Sequence, residues 1–315
     1  MDWTNQKFGL KHLIKSAESS YLNSVLMLVI AGIIWGLSFT CVKWALVDFT
    51  TTQLLFWRFF AAFILGEVFL FLFHRQAWKN SHADIKLSLK PGLFLGLSLL
   101  FQIHGLHYTT ATNSGFITSL YVVLIPFISI ILFKTKIKYL HFVFAGLAFV
   151  GMAFLLDLKS QQWTLNIGDL LTLGSSITAA FQIIYIGISA KNSKNTFRYN
   201  NYQTFWCLLV VIPFLIYECL QKNISIWPDR VQPLSYLGLA LLIVFVSIFA
   251  FYLQVRAQKK LSTTTASMLC LLEAPFSFLF ATILIGENLI AIQMFGALLI
   301  LCSSALSVYV DRPQN

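Results

Sequence analysis

Ten apolar stretches separated by short polar breaks dominate this chain of 315 residues. A helix that crosses a membrane needs about 20 mostly apolar residues, and the stretches have about that length. The stretches are 24–46, 52–74, 88–108, 113–133, 138–155, 166–190, 200–219, 233–256, 263–285 and 289–310. Charged residues make up only 11% of the chain, whereas soluble domains have about 25%. The sequence therefore predicts an all-α integral membrane protein with ten transmembrane helices.

Lysines and arginines concentrate on one side of this predicted bundle. Seventeen of the 22 lie at the N-terminus, in even-numbered connections or in the tail; three lie in odd-numbered connections, and Lys43 and Arg58 lie within stretches. Cytoplasmic connections carry an excess of Lys and Arg. Both termini are therefore predicted to be cytoplasmic, and the net charge of +10 requires no nucleic-acid partner. Residues 1–23 are expected to form a cytoplasmic N-terminal segment with a short interfacial helix.

The ten stretches divide into two halves of five. Placing Pro126 of the fourth stretch on Pro275 of the ninth gives an offset of 149 residues. Because five is odd, the second half enters the membrane from the opposite side, so the two halves have inverted topology. Residues 24–155 and 166–310 are predicted to be these repeats. Inverted repeats are typical of secondary transporters, which bind substrate near mid-membrane between the repeats.

Several segments resemble the drug/metabolite transporter superfamily in its ten-helix EamA-type branch. The resemblance covers residues 25–310 and is carried by GIIWGLSFTCVKWAL, WRFFAAFILG, GLHYTTATNSGFITSLYVVLIPFISIILF, GDLLTLGSSITAAFQIIYI and TTASMLCLLEAPFSFLFATILIGENL. It implies a carrier of the bacterial inner membrane, in many members an exporter of amino acids or other metabolites. The Gly286-Glu287 pair, which often closes the fourth helix of a half in this branch, occurs only in the second half. Lys134 and Lys136 stand at the matching place in the first half.

Glu273 is an ionisable residue deep within an apolar stretch. It lies about ten residues into the ninth stretch, or about 15 Å deep, which is close to mid-membrane. An acid at that depth points to function. We interpret it either as a carboxylate that carries a coupling proton or cation, or as a protonated glutamate bonded to a neighbouring helix. Since Pro275 has no N–H, we expect the carbonyl of Leu271 to be free and to extend the polar site.

The second stretch carries two charges, Arg58 and Glu67. Arg58 lies about 9 Å from the predicted outer end, where three interpretations are open. It can bind a substrate carboxylate, pair with an acid, or extend toward the interface. Glu67 follows nine residues later, half a turn out of phase at about 100° per residue. The two side chains are therefore expected to face different surroundings.

Four further residues are candidates for the substrate pathway. His104, near the outer end of the third stretch, is interpreted as a proton relay or as a helix–helix hydrogen bond. Gln182 and Tyr185 are three residues apart in the sixth stretch and share a helix face. Trp35 lies in the middle of the first stretch, away from the interfaces where tryptophan collects. It either stacks against a substrate or packs in the core.

Several functional classes lack their signatures in this sequence. The chain contains neither the GxxxxGK[ST] motif of ATP-driven pumps nor an HExxH motif, and its five cysteines form no CxxC pair. No cofactor and no metal are therefore predicted. A membrane enzyme is a less favoured interpretation, because no cluster of catalytic residues is visible at one depth. A non-transporting receptor or scaffold, which would have no continuous central cavity, is also less favoured.

The favoured function is secondary transport of a small metabolite, an amino acid or related organic compound, exported by alternating access. The predicted binding or coupling residues are Glu273, Trp35, Arg58, His104, Gln182 and Tyr185. Uptake of a nucleoside-like metabolite such as S-adenosylmethionine is the alternative. The expected partners are the solute, coupled protons and the lipid bilayer of a bacterial inner membrane. One chain suffices for a complete pathway, so monomer and dimer both stay open.

Overall fold

The computed structural model of the chain describes residues 3–79, 82–109, 111–157, 166–285 and 290–313. The regular structure of these residues is helical. The α-helices are α1 (Trp3–Ala45), α2 (Thr51–Phe73), α3 (Arg75–Lys79), α4 (His82–Leu106), α5 (Ala111–Ser119), α6 (Tyr121–Ile131), α7 (Tyr139–Leu155), α8 (Ile167–Ser189), α9 (Thr196–Lys222), α10 (Pro233–Leu241), α11 (Phe251–Gln258), α12 (Thr263–Cys270), α13 (Glu273–Ile285) and α14 (Ala291–Asp311). A π-helix, Leu242–Ala250, joins α10 to α11.

Ten membrane spans account for most of this structure. Within the described ranges, nine helical segments are long and apolar enough to cross a membrane, and α7 is a shorter apolar helix. They correspond to the ten predicted stretches and are numbered one to ten below. The fourth span comprises α5 and α6, the eighth α10, the π-helix and α11, and the ninth α12 and α13. The Gly286-Glu287 pair lies outside the described residues.

The first span extends further than the sequence analysis predicted. α1 runs without interruption from Trp3 to Ala45, so residues 3–23 continue into the span instead of forming a separate short helix. The physical reason is the absence of a helix breaker, since the first proline of the chain is Pro91. The expectation of an independent interfacial helix is therefore wrong.

Polar caps fix the points at which several helices begin. The Thr50 hydroxyl accepts a hydrogen bond from the N–H of Gln53 at 3.3 Å, and Gln53 Oε1 accepts one from the N–H of Thr50 at 2.8 Å. This capping box starts α2. The Ser262 hydroxyl caps α12 in a similar way by accepting from the N–H of Thr265 at 3.1 Å.

The fourth span of each half is interrupted near its middle. In the first half α5 ends at Ser119 and α6 begins at Tyr121; in the second half α12 ends at Cys270 and α13 begins at Glu273. Each interruption lies about ten residues, or about 15 Å, from the end of its span. α6 packs against α12, so the two interruptions lie close together in the bundle.

The turn before Pro275 leaves no free carbonyl at Leu271. The N–H of Ala274 donates to the Leu271 carbonyl oxygen at 3.1 Å. The expectation of a free carbonyl is wrong, because the chain tightens into a turn that supplies a donor one residue before the proline. The polar character of this region therefore comes from side chains.

The two halves are interleaved in the bundle. The first span packs against the eighth and ninth, the second against the seventh, the third against the sixth and seventh, and the fifth against the tenth. Glycines make the closest approaches, as is common between membrane helices. A methyl group added at Gly36 would lie 2.6 Å from Cβ of Phe276, and one at Gly151 would lie 2.9 Å from the Gly296 carbonyl oxygen. The centre of the bundle is therefore surrounded by residues of both halves.

Candidate functional site

One stripe of the eighth span faces the centre of the bundle. Ser247, Phe251, Gln254 and Gln258 follow one another at intervals of four, three and four residues, which brings them to one helix face. All four are buried: Phe251 is 9% exposed and the others 2% or less. Each of them faces a different neighbour, so the stripe defines successive levels of the site.

Arg58 lies at the Ser247 level, buried between the second and eighth spans. Its Nε donates to the Ser247 hydroxyl at 2.7 Å, and its guanidinium carbon lies 5.0 Å from the centre of the Phe59 ring. Only 7% of Arg58 is exposed. Among the described residues no carboxylate lies within 4.0 Å of the guanidinium, and Nη1 and Nη2 have no acceptor. The side chain therefore neither extends to the interface nor pairs with an acid of the described chain.

Asn200 of the seventh span joins the same level. Its Nδ2 donates to the carbonyl oxygens of Ser247 at 3.3 Å and of Ile248 at 3.2 Å, both in the π-helix. Its Oδ1 is buried and has no hydrogen-bond partner in the described part of the chain. π-helical turns are rare and are found frequently at functional sites. The second, seventh and eighth spans thus meet around Arg58.

Trp35 lies at the Phe251 level. The two ring centroids are 5.5 Å apart, and Trp35 is 7% exposed. Its indole Nε1 is buried and finds no acceptor within the described ranges. Since a buried indole N–H is usually bonded, this donor is available to a bound molecule or to water.

Glu273 lies at the Gln254 level, where α13 begins. The carboxylate is within electrostatic range of the Tyr121 hydroxyl and the Cys270 thiol. Gln254 Nε2 lies 3.9 Å from Cys270 Sγ, and Gln254 Oε1 is buried without a partner among the described residues. The Glu273 side chain neither accepts a hydrogen bond from a described residue nor donates one to it. The bond to a neighbouring helix that one interpretation required is therefore not formed in this structure.

Gln182 and Tyr185 have different surroundings despite their common helix face. Gln182 is 5% exposed, and its buried Nε2 has no partner in the part of the chain that is described. It precedes Ile183, whose carbonyl oxygen accepts a hydrogen bond from Gln258 Nε2 at 3.2 Å. Tyr185 stacks on Phe94, with 5.5 Å between centroids, and Lys90 Nζ lies 4.9 Å from the Tyr185 centroid. Gln182 thus adjoins the stripe, whereas Tyr185 belongs to a separate aromatic cluster.

His104 lies outside the central levels. Its Nδ1 is 2.9 Å from the carbonyl oxygen of Leu100 one turn earlier, and its ring lies 5.7 Å from that of Phe214 on the seventh span. Within the described ranges, no group of three histidine, cysteine, aspartate or glutamate side chains lies close enough to hold a metal ion.

Four buried polar residues of the site were not among the sequence candidates: Ser247, Gln254, Gln258 and Asn200. Three of them carry a sequence signal, because the polar positions 247, 254 and 258 keep helical spacing within an otherwise apolar run. Asn200 has no such signal, since it lies in the first turns of a span that is rich in polar residues at that end. Its role depends on carbonyl groups of another span.

Glu67 lies in a second polar cluster. Its Oε1 accepts hydrogen bonds from Arg198 Nη1 at 2.6 Å and from Asn201 Nδ2 at 2.7 Å, and its Oε2 accepts one from Trp78 Nε1 at 3.0 Å. Arg58 faces Ser247 instead. The prediction that the two charges of the second span face different surroundings is confirmed.

Two cavities lie at the end of the bundle that carries the basic connections. The first, with a volume of ≈ 590 Å³, is lined by Phe69, His74, Lys194, Asn195, Thr196, Phe197, Ile248, Phe249, Tyr252 and Arg256. The second, with a volume of ≈ 490 Å³, is lined by Ser19, Ser20, Asn23, Ser24, Met27, Thr196, Arg256, Lys259 and Lys260. No carboxylate is among these described lining residues. Ile248 directly follows Ser247, so the first cavity reaches the segment that contacts Arg58.

The sequence of this chain is similar to that of a known protein family. The sequence profile of the EamA-like transporter family matches residues 22–157 and again residues 166–309. A protein of Archaeoglobus fulgidus described as "Uncharacterized transporter" is 33% identical over 276 residues, which cover 87% of this chain and 82% of that protein. A second protein of that organism with the same description is 22% identical over 271 residues, covering 84% of this chain and 89% of the relative.

A solved structure described as "Crystal structure of protein" has the same fold. It superimposes with a TM-score of 0.73 at 14% identity and covers 92% of this chain and 97% of its own. The double family match agrees with the ten spans and with the two interrupted fourth spans. The chain belongs to the EamA-like transporter family and is a multi-pass membrane protein built from two EamA repeats.

Proposed function

We propose that this chain is a secondary transporter that exports a small organic metabolite, an amino acid or related compound, by alternating access. The observation that carries the proposal is the meeting of two interrupted spans, one from each half, at the Glu273 level. Tyr121 begins α6 and Glu273 begins α13 there, beside the unused hydrogen-bonding groups of Trp35 and Gln254. Interrupted helices with unsatisfied polar groups at this depth are characteristic of transporter substrate sites.

In this proposal Glu273 carries the coupling proton. No described side chain bonds its carboxylate, so the group can gain a proton when the site faces one side and lose it when the site faces the other. The interleaved halves share the walls of the site, so a tilt of one half against the other opens one end and closes the opposite end. The direction of transport is then set by the proton gradient.

We further propose that both termini are cytoplasmic and that the membrane is the inner membrane of a bacterium. The basic residues at one end of the bundle support this orientation, because cytoplasmic connections carry an excess of Lys and Arg. A solute would then enter from the cytoplasm through the two basic cavities. A reporter that is active only in the periplasm, fused after Arg312, tests the orientation. An active fusion would contradict it.

Solute accumulation in inside-out membrane vesicles tests the function. The vesicles are energised with a pH gradient and offered amino acids and related metabolites, with vesicles that lack the chain as control. Accumulation above the control supports export. Accumulation only in right-side-out vesicles, for instance of S-adenosylmethionine, would keep transport and contradict export. If no solute moves in either orientation, the proposed function is wrong.

The variant Glu273→Gln tests the coupling role. We expect gradient-driven accumulation to fall to the level of the control, while exchange of labelled for unlabelled solute across the vesicle membrane continues. Exchange requires a folded protein with a working site, so it separates lost coupling from lost folding. Accumulation equal to that of the unmodified protein would remove Glu273 from the coupling mechanism.

A further inference from the structure

Arg58 is a buried cation to which the described chain offers no counter-charge. Its single described hydrogen bond goes to a neutral hydroxyl, that of Ser247, at 2.7 Å, and the residue is 7% exposed. A charge held in a membrane interior without a partner destabilises the folded protein. An anion from outside the chain would therefore supply the counter-charge that stabilises Arg58 at this position.

The geometry of the guanidinium suits a carboxylate. The bond from Nε to Ser247 holds one edge of the group, while Nη1 and Nη2 have no acceptor within the described residues. Two parallel N–H donors on a planar fork match the two oxygens of a carboxylate. We infer that Arg58 binds the carboxylate of the transported metabolite, an inference that rests on the proposed function.

Glu273 does not supply the missing anion in this structure. The titratable groups within electrostatic range of Arg58 are the Cys41 and Cys207 thiols, whereas Glu273 neighbours Tyr121 and Cys270. Arg58 and Glu273 also lie beside different residues of the eighth span, Ser247 and Gln254 respectively. Ser247 and Gln254 are seven residues apart, about 10 Å along a helix axis. The guanidinium and the coupling carboxyl thus serve separate tasks in one pathway.

The two cavities at the basic end of the bundle are lined by cations. The described residues that line the two cavities include Lys194, Arg256, Lys259 and Lys260 but no carboxylate. Clefts lined by one sign of charge raise the local concentration of the opposite sign. The larger cavity reaches Ile248, next to Ser247. An anionic solute is therefore concentrated at the basic end, where the larger cavity reaches the π-helix that also carries the hydrogen-bond partner of Arg58.

Matched solutes in inside-out vesicles test this inference. The mixture contains the proteinogenic amino acids, their carboxamides, the amines left by decarboxylation, acetate, succinate and S-adenosylmethionine, and accumulation is read by mass spectrometry. We expect each accumulated solute to carry a carboxylate, and its carboxamide and amine to accumulate at least about 30-fold less. Arg58→Gln should lower accumulation of the carboxylate solute by a similar factor. Arg230→Gln, the same change at an exposed arginine of a connection, should leave it unchanged.

The outcomes separate the inference from the proposed function. A transported solute without a carboxylate, or transport of the carboxylate solute by Arg58→Gln at the unmodified rate, overturns the inference while transport itself stands. If the unmodified chain moves no solute of the mixture, the proposed function fails and the inference fails with it. Should Arg58→Gln not fold, Arg58→Lys keeps the charge and loses the fork. It should transport the same solutes with a KM about tenfold higher, and an unchanged KM contradicts the inference.

Discussion

Arg58 and Arg198 are both buried arginines, 7% and 3% exposed. Arg198 forms an ion pair with a carboxylate of the described chain, whereas Arg58 does not. Arg198 Nη1 donates to Glu67 at 2.6 Å, and its Nη2 donates to the Tyr202 hydroxyl at 2.5 Å. Arg58 has one described hydrogen bond, to Ser247. A buried charge is retained at low cost only when it is paired. The comparison indicates that the partner of Arg198 is part of the fold, whereas the partner of Arg58 is carried in by the solute.

The largest expected effect is on stability at Arg198. Arg198→Met leaves Glu67 without its cation, and we expect the free energy of unfolding to fall by about 3 kcal/mol. Arg58→Met, the matched change, removes one bond to a neutral hydroxyl but also an unpaired buried charge, so it should leave the free energy of unfolding unchanged or raise it. Denaturant unfolding of the detergent-purified variants measures both values. Equal losses would show that Arg58 is as much a structural charge as Arg198.

A double-mutant cycle isolates the pair itself. Glu67→Gln and Arg198→Met, singly and together, should give a coupling energy of about 2 kcal/mol, because the residues share a hydrogen bond and opposite charges. The Glu67 side chain is 24% exposed, so partial screening by solvent keeps the coupling below that of a fully buried pair. A coupling energy near zero would contradict the structural role of this pair.

Ser247→Ala tests the bond that orients Arg58. Loss of one hydrogen bond should raise the KM for the carboxylate solute about fivefold, since such a bond is worth about 1 kcal/mol. Ser303→Ala is the matched control, because Ser303 bonds the carbonyl of Leu299 within the tenth span at 2.7 Å. Its KM should stay unchanged. An equal rise in both variants would mean that Ser247 has no specific part in binding.

The smallest effect concerns Asp48, a paired charge at the surface. The Ser235 hydroxyl donates to its carboxylate at 2.5 Å and the Gln232 N–H at 2.9 Å, and these bonds hold the pKa of Asp48 below its usual value of 3.8. Because the folded pKa is depressed, the contribution to stability is present above the unfolded pKa and is lost as the pH falls through the folded pKa.

The thermal unfolding temperature of Asp48→Asn should therefore lie slightly below that of the unmodified protein at neutral pH. We expect the difference to disappear as the pH falls through the lowered pKa of Asp48. A difference that is independent of pH would mean that the contacts of Asp48 do not depend on its charge.

The positions of the spans could be predicted because length and hydropathy determine them. The seventh was predicted at 200–219 and runs from Thr196 to Lys222, since the Asn195 side chain caps its start and Asn223 adopts a left-handed conformation after its end. The interruption at Leu120 could not be predicted. No glycine or proline lies between Gly115 and Pro126 to mark it.

The depth of the site residues in the membrane could be predicted from the sequence, but the residues that contact them could not. Counting along the helices placed Arg58 and Glu273 inside the membrane, yet whether Arg58 is buried or extended depends on the spans that cover it. Its hydrogen-bond partner Ser247 is 189 residues away in the chain. For the same reason the contact of Trp35 with Phe251 of the eighth span could not be predicted. Gln182 and Tyr185 share a helix face as predicted, but the contacts of Tyr185 with Lys90 and Phe94 come from another span and could not be read from that spacing.

The π-helix Leu242–Ala250 allows the two parts of the eighth span to change their rotational register relative to each other. Its turns hold more residues than α-helical turns do. Conversion of one turn to α-helix would rotate one part of the span against the other by about 100°, the angle of a single residue. Ser247 lies inside the segment and Phe251 just beyond it, so Ser247 would leave Arg58 while Phe251 stayed against Trp35. Ser247 would thus hold Arg58 in one register and release it in the other, while Phe251 and the part of the span beyond it stay in place.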